Sequence, residues 1–125
     1  MIIKTTDDVY TYTNADYDNK YTDEQFKIDT NLKVSSTQGF QVKKQAGQIR
    51  IIASVKIADL MINIADNLLP MLNYPVPVEV SFERIPPMRT SNIMKMELIA
   101  FKILQEFNNG NDTEIEIQLV EVIGV

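Results

Sequence analysis

The chain of 125 residues contains no cysteine, no histidine and no tryptophan. Without cysteine there is no disulfide, no thiolate nucleophile and no thiolate-bound zinc. Without histidine the chain lacks an imidazole base, a Ser-His-Asp constellation and imidazole-ligated metal. Its four glycines, Gly39, Gly47, Gly110 and Gly124, are too scattered to form a glycine-rich phosphate loop. No apolar run reaches the 18 or so residues that a membrane span requires. The opening Met1-Ile2-Ile3-Lys4-Thr5-Thr6-Asp7-Asp8 has neither the basic nor the apolar stretch of a secretory signal. The expectation is a cytoplasmic protein without membrane contact. No convergent acid, base and nucleophile can be named, so an enzyme is not expected, and no cofactor is called for.

What the chain does have is an ordinary globular composition, 45% apolar and 23% charged, which suits a single domain over 1–125. Its charge is −5 overall but unevenly spread. Between Thr30 and Asp59 lie Lys33, Lys43, Lys44, Arg50 and Lys56 and no acid, whereas residues 1–30 and 61–125 are both acidic. Charges separated by more than about 8 Å are largely screened at physiological salt, so a local cationic island can attract a polyanion despite the net charge. Lysines and arginines there would neutralise phosphates, and Phe40, beside Gln41, Lys43 and Lys44, is the candidate for stacking on an unpaired base. The competing reading is a solvated sheet face and a core phenylalanine. Asp16-Tyr17-Asp18-Asn19-Lys20-Tyr21 hints at a calcium loop, but Tyr21 stands where glycine is needed and Lys27 where a bidentate glutamate belongs.

Hydrophobic periodicity predicts a mainly β fold with one principal helix. Residues 1–25 read as a loose N-terminal arm or an edge strand around Val9, Tyr10, Thr11 and Tyr12. Alternation predicts strands over 26–34, 40–45, 48–57 and 78–83. Between the last two, Ile57, Leu60, Met61, Ile64 and Leu68 form a helical stripe, placing a helix at about 58–69 that Pro70 ends. Residues 93–107 fit a strand, with Ile99, Phe101, Ile103 and Phe107 alternating. The alternative is an α+β fold with a second helix at 93–107. Asn108-Asn109-Gly110-Asn111-Asp112 has hairpin-turn chemistry, with Ile115, Ile117 and Leu119 alternating beyond it.

Three strands, a helix and further strands is the order of the five-stranded oligonucleotide-binding (OB) β-barrel. The stretch Ile51-Ile52-Ala53-Ser54-Val55-Lys56-Ile57-Ala58-Asp59-Leu60, continuing through Leu68 to Pro77-Val78-Glu79-Val80-Ser81-Phe82, resembles the strand–helix–strand part of phage-type single-stranded DNA-binding proteins. The resemblance spans about 26–107 and rests on element order. It implies a non-catalytic protein that binds single-stranded DNA with little sequence preference in phage or mobile-element replication or recombination. Implied partners are single-stranded DNA and other replication or recombination proteins, in the host cytoplasm if the chain is phage-encoded. Lys33, Phe40, Lys43, Lys44, Arg50 and Lys56 would form the nucleic-acid surface. The rival expectation is a virion structural or assembly protein, a tail, connector or adaptor. The apolar strands near 96–104 and 115–123 suit pairing between subunits, so a homo-oligomer is expected.

Overall fold

The computed structural model describes residues 1–13, 21–29, 49–106 and 112–122. Seven strands lie within them: β1 Ile2–Thr5, β2 Thr11–Thr13, β3 Tyr21–Asp29, β4 Arg50–Leu60, β5 Val78–Ser81, β6 Ile93–Glu106 and β7 Asp112–Glu121. Between β4 and β5 runs α1, residues 61–71, which is α-helical at Met61–Asn63, π-helical at Ile64–Leu68 and 3-10 at Leu69–Met71. The strands make one sheet in the order β2-β1-β5-β6-β7-β4-β3, with every neighbouring pair antiparallel. This is the mainly β architecture with one helix that periodicity predicts, and 93–106 is strand.

Alternation decides which face of each strand is buried. In β4, Ile51, Ala53, Val55, Ile57 and Asp59 point inward, while Ile52, Ser54, Lys56, Ala58 and Leu60 are half-buried on the outer face. Register carries this inner row across the sheet: Ala53 stands opposite Leu119, Val55 opposite Ile117 and Ile57 opposite Ile115. A one-residue slip would send every one of these isoleucines and leucines to the outer face, so burial itself holds the register. From α1, Ile64, Leu68 and Met71 complete the core.

The sheet is open, since no ladder joins its edge strands β2 and β3 among the described residues. Side chains hold its curl instead. Tyr12 of β2 donates a 2.6 Å hydrogen bond to Asp59 at the end of β4. Phe26 of β3 meets Phe82, just past β5, edge to face at 5.0 Å between centroids.

Several boundaries differ from those expected. Of the N-terminal residues, Thr11–Thr13 form an edge strand, one of the two alternatives expected, while β1 is an additional strand interior to the sheet between β2 and β5. The third strand is Tyr21–Asp29, five residues earlier than the expected start at Phe26. The expected strand at 40–45, and the part of 26–34 beyond Asp29, lie outside the described residues. Residues 58–60 belong to β4 and not to the helix, because Ala58, Asp59 and Leu60 stay in register with Glu114, Thr113 and Asp112 of β7. Pro70 sits inside the closing 3-10 turn, at a first-turn position where no amide hydrogen is needed, so α1 ends at Met71.

Candidate functional site

Of the six residues expected to form a nucleic-acid surface, the described structure includes two. Arg50 is exposed at the start of β4, and Lys56 is half-buried on the same outer face six residues on. Lys33, Phe40, Lys43 and Lys44 lie outside the described residues.

Strand pairing surrounds the two cations with acids that are distant in sequence. Arg50 stands opposite Asp29 of β3, and Lys56 lies between Asp23 of β3 and Glu116 of β7. Lys102 of β6 is next, opposite Glu116, so one row across four strands reads Asp23, Lys56, Glu116, Lys102. A second row reads Lys4, Glu79, Lys95 across β1, β5 and β6. Opposite charges on facing strands each contribute a few tenths to about 1 kcal/mol to pairing. This part of the outer face is therefore balanced in charge, not a cationic track.

Where β3 meets the chain after β5, the surroundings are acidic. A cleft of about 380 Å³ is lined by Asp23, Glu24, Gln25, Glu83 and Arg84. Glu24 is only 6% exposed, and its carboxylate accepts from the Glu83 amide at 2.9 and 3.2 Å. The Arg84 guanidinium donates to the Glu24 carbonyl oxygen and lies over the Phe26 ring at 5.0 Å. Burial pushes the Glu24 carboxyl above its ordinary value of 4.5; the Glu83 and Arg84 backbone groups oppose the shift, Glu83 charge adds to it, and the terminal ammonium opposes it.

A raised carboxyl takes up a proton on folding. Its stabilising contribution is present below about 4.5 and is lost as pH rises through the elevated value. Glu24→Gln keeps an acceptor for the Glu83 amide and removes the titration. Its stability relative to wild type should rise between pH 4 and 8, as read by chemical denaturation; parallel curves over that range would mean that Glu24 carries no such cost.

The most fully satisfied polar cluster lies at the junction of β2, β4 and α1. Asp59, 1% exposed, accepts from the Tyr12 hydroxyl, from Asn63 Nδ2 at 2.8 Å and from the Leu60 amide at 2.7 Å. Asn63 Nδ2 also reaches the Thr13 carbonyl at 3.2 Å, and Asn67 donates to Asn63 Oδ1 at 2.6 Å. Burial and the Asp59 carboxylate both raise the Tyr12 phenol, so it stays protonated as a donor. Every partner is used internally, which makes this a structural lock. Sequence reasoning missed Asp59 and Glu24, although each falls on the inward phase of its strand, with Ile57 and Phe26 respectively. No sequence signal marked Arg84.

The remaining feature is an edge. β6 has 14 residues, but β5 pairs only with Ile93, Met94, Lys95 and Met96. One further contact, Asn73 amide to Leu98 carbonyl at 2.9 Å, covers the next position. From residue 99 onward this side of β6 has no strand beside it among the described residues. It carries apolar side chains there beside the exposed Lys102: Ile99, Ile103 and Leu104 are 38%, 45% and 36% exposed, and Phe101 is half-buried against the core.

Among the described residues no group of three or more acidic side chains is placed to hold a metal ion, and no helix is long and apolar enough to cross a membrane. Protein-family models, curated proteins and solved structures were all compared with this chain, and none matches.

Proposed function

We propose that this chain is a non-catalytic structural or assembly subunit that associates through its sheet, as the tail, connector or adaptor proteins of virions do. The observation that carries the reading is the second half of β6, a strand edge with no neighbour among the described residues that bears exposed isoleucine and leucine. An unpaired row of amides and carbonyls is a template for another strand, and apolar side chains beside it favour covering the edge over solvating it. Association of this kind belongs in the cytoplasm of a host cell, where virion parts are put together. Light scattering over a concentration series should give a mass above the 14.3 kDa of one chain, falling towards it on dilution. A mass of one chain at every concentration would overturn the reading.

A second reading, binding of single-stranded DNA, is favoured by one observation. Arg50 is exposed where β4 begins, directly after the segment that carries Lys33, Phe40, Lys43 and Lys44. Each phosphate contact adds about 0.7 to the salt slope for a single strand. Replacing Arg50 and Lys56 together should then flatten the salt slope of oligonucleotide binding by more than about one unit. Absence of binding by wild type at low salt removes this reading and leaves the first.

A further inference from the structure

Resting on the assembly reading, we infer that the occupant of the free β6 edge is β6 of a second copy, paired antiparallel about a two-fold axis at Ile103. The edge itself narrows the choice. Natural edges are guarded by charges, prolines or bulges. Here the guards are two charged residues, Lys102 and, at the strand's end, Glu106, and two bulges, between Leu98 and Ala100 and between Ile103 and Gln105. Against them stand Ile99, Phe101, Ile103 and Leu104, whose cover requires a strand with apolar side chains of its own. A second copy presents that strand, with the same free length.

The axis position follows from what is already occupied and from the length paired, which an axis at Leu104 would shorten to residues 102–106. β5 and Asn73 hold the edge as far as Leu98, and β6 ends at Glu106. A two-fold at Phe101 would run Glu106 of the other copy against Met96, which Val78 already holds. A two-fold at Lys102 would run it against Leu98 and set the two lysines face to face, where like charges repel. With the axis at Ile103, the end of each β6 falls opposite Ala100 of the other, clear of Leu98. The two Ile103 side chains then face each other, and each Lys102 lies opposite Leu104. The contact is isologous, so it closes at a dimer unless another surface extends it.

Self-opposition at one residue can be tested by charge. Ile103→Lys and Ile103→Glu each place like charges opposite one another, and each should weaken self-association at least about tenfold. An equimolar mixture places lysine opposite glutamate and should restore association to within a few-fold of wild type. Ile103 is 45% exposed, so both variants should keep the wild-type circular dichroism and unfolding midpoint within a few degrees. If wild type stays monomeric in light scattering, the assembly reading fails and this pairing with it. If wild type associates but both single variants associate equally well, or the mixture stays as weak as its components, the Ile103 axis is wrong and assembly uses another surface.

Discussion

Asp59→Ala is expected to destabilise the fold by about 2–6 kcal/mol, because two donors lose their acceptor and a buried unsatisfied donor costs about 1–3 kcal/mol. The two are the Tyr12 hydroxyl and the Leu60 amide; Asn63 retains the Thr13 carbonyl. Asp59→Asn keeps an acceptor at the same place and should lose less. Tyr12→Phe combined with Asp59→Ala should cost less than the two separate losses added together, since the groups bond to each other and neighbours in one network are not additive. Chemical denaturation of these variants, with Tyr12→Phe alone as the fourth, reads all of this. A loss within about 0.5 kcal/mol for Asp59→Ala, the range of surface substitutions, would show that Asp59 does not hold β2 and α1 to β4.

Ile64→Ala is expected to cost about 2–5 kcal/mol. Ile64 is fully buried at the start of the π-helical turn and packs with Leu68 and Met71 on the inner face of the sheet. The sheet has a single short helix over it among the described residues, so there is little else to collapse into the vacated space. The same substitution at Ile62, two residues earlier and 68% exposed, should change stability by less than about 0.5 kcal/mol. Equal effects at the two positions would mean that α1 is not seated on the sheet as described.

Much of this fold is legible in the chain because burial repeats with a period that each element imposes. The alternation in β4 and β7 reflects one covered face. The stripe of Ile64 and Leu68 reflects a helix lying on that face. Misplaced boundaries have local causes. Residues 58–60 fit a helical stripe and a strand equally well as letters, and only pairing with β7 favours the strand. The third strand starts before the apolar alternation does because its first half, Tyr21-Thr22-Asp23-Glu24-Gln25, is polar; Glu24 nonetheless occupies an inward position, where the Glu83 amide satisfies it.

The candidate surface was less legible, for a physical reason. Counting charges along the chain isolates Arg50 and Lys56 as part of a cationic island. A sheet places next to them residues distant in sequence, and these are Asp23, Asp29 and Glu116. The apolar run around Ile103 could be seen in the letters as suited to pairing between subunits. That its edge lacks a neighbour past Leu98 among the described residues depends on where β5 stops.

The residues by themselves determined a chemistry without thiol, imidazole or phosphate loop, a mainly β domain, one helix between β4 and β5, and the inward phase of β4 and β7. Each of these follows from residue type or from periodicity, and neither requires knowing which segments touch. The tertiary structure alone decided the strand order, the satisfaction of Asp59 and Glu24, the charge balance of the outer face and, among the described residues, the free edge of β6. Those depend on contacts between segments far apart in the chain, and no local pattern encodes which strand another will meet.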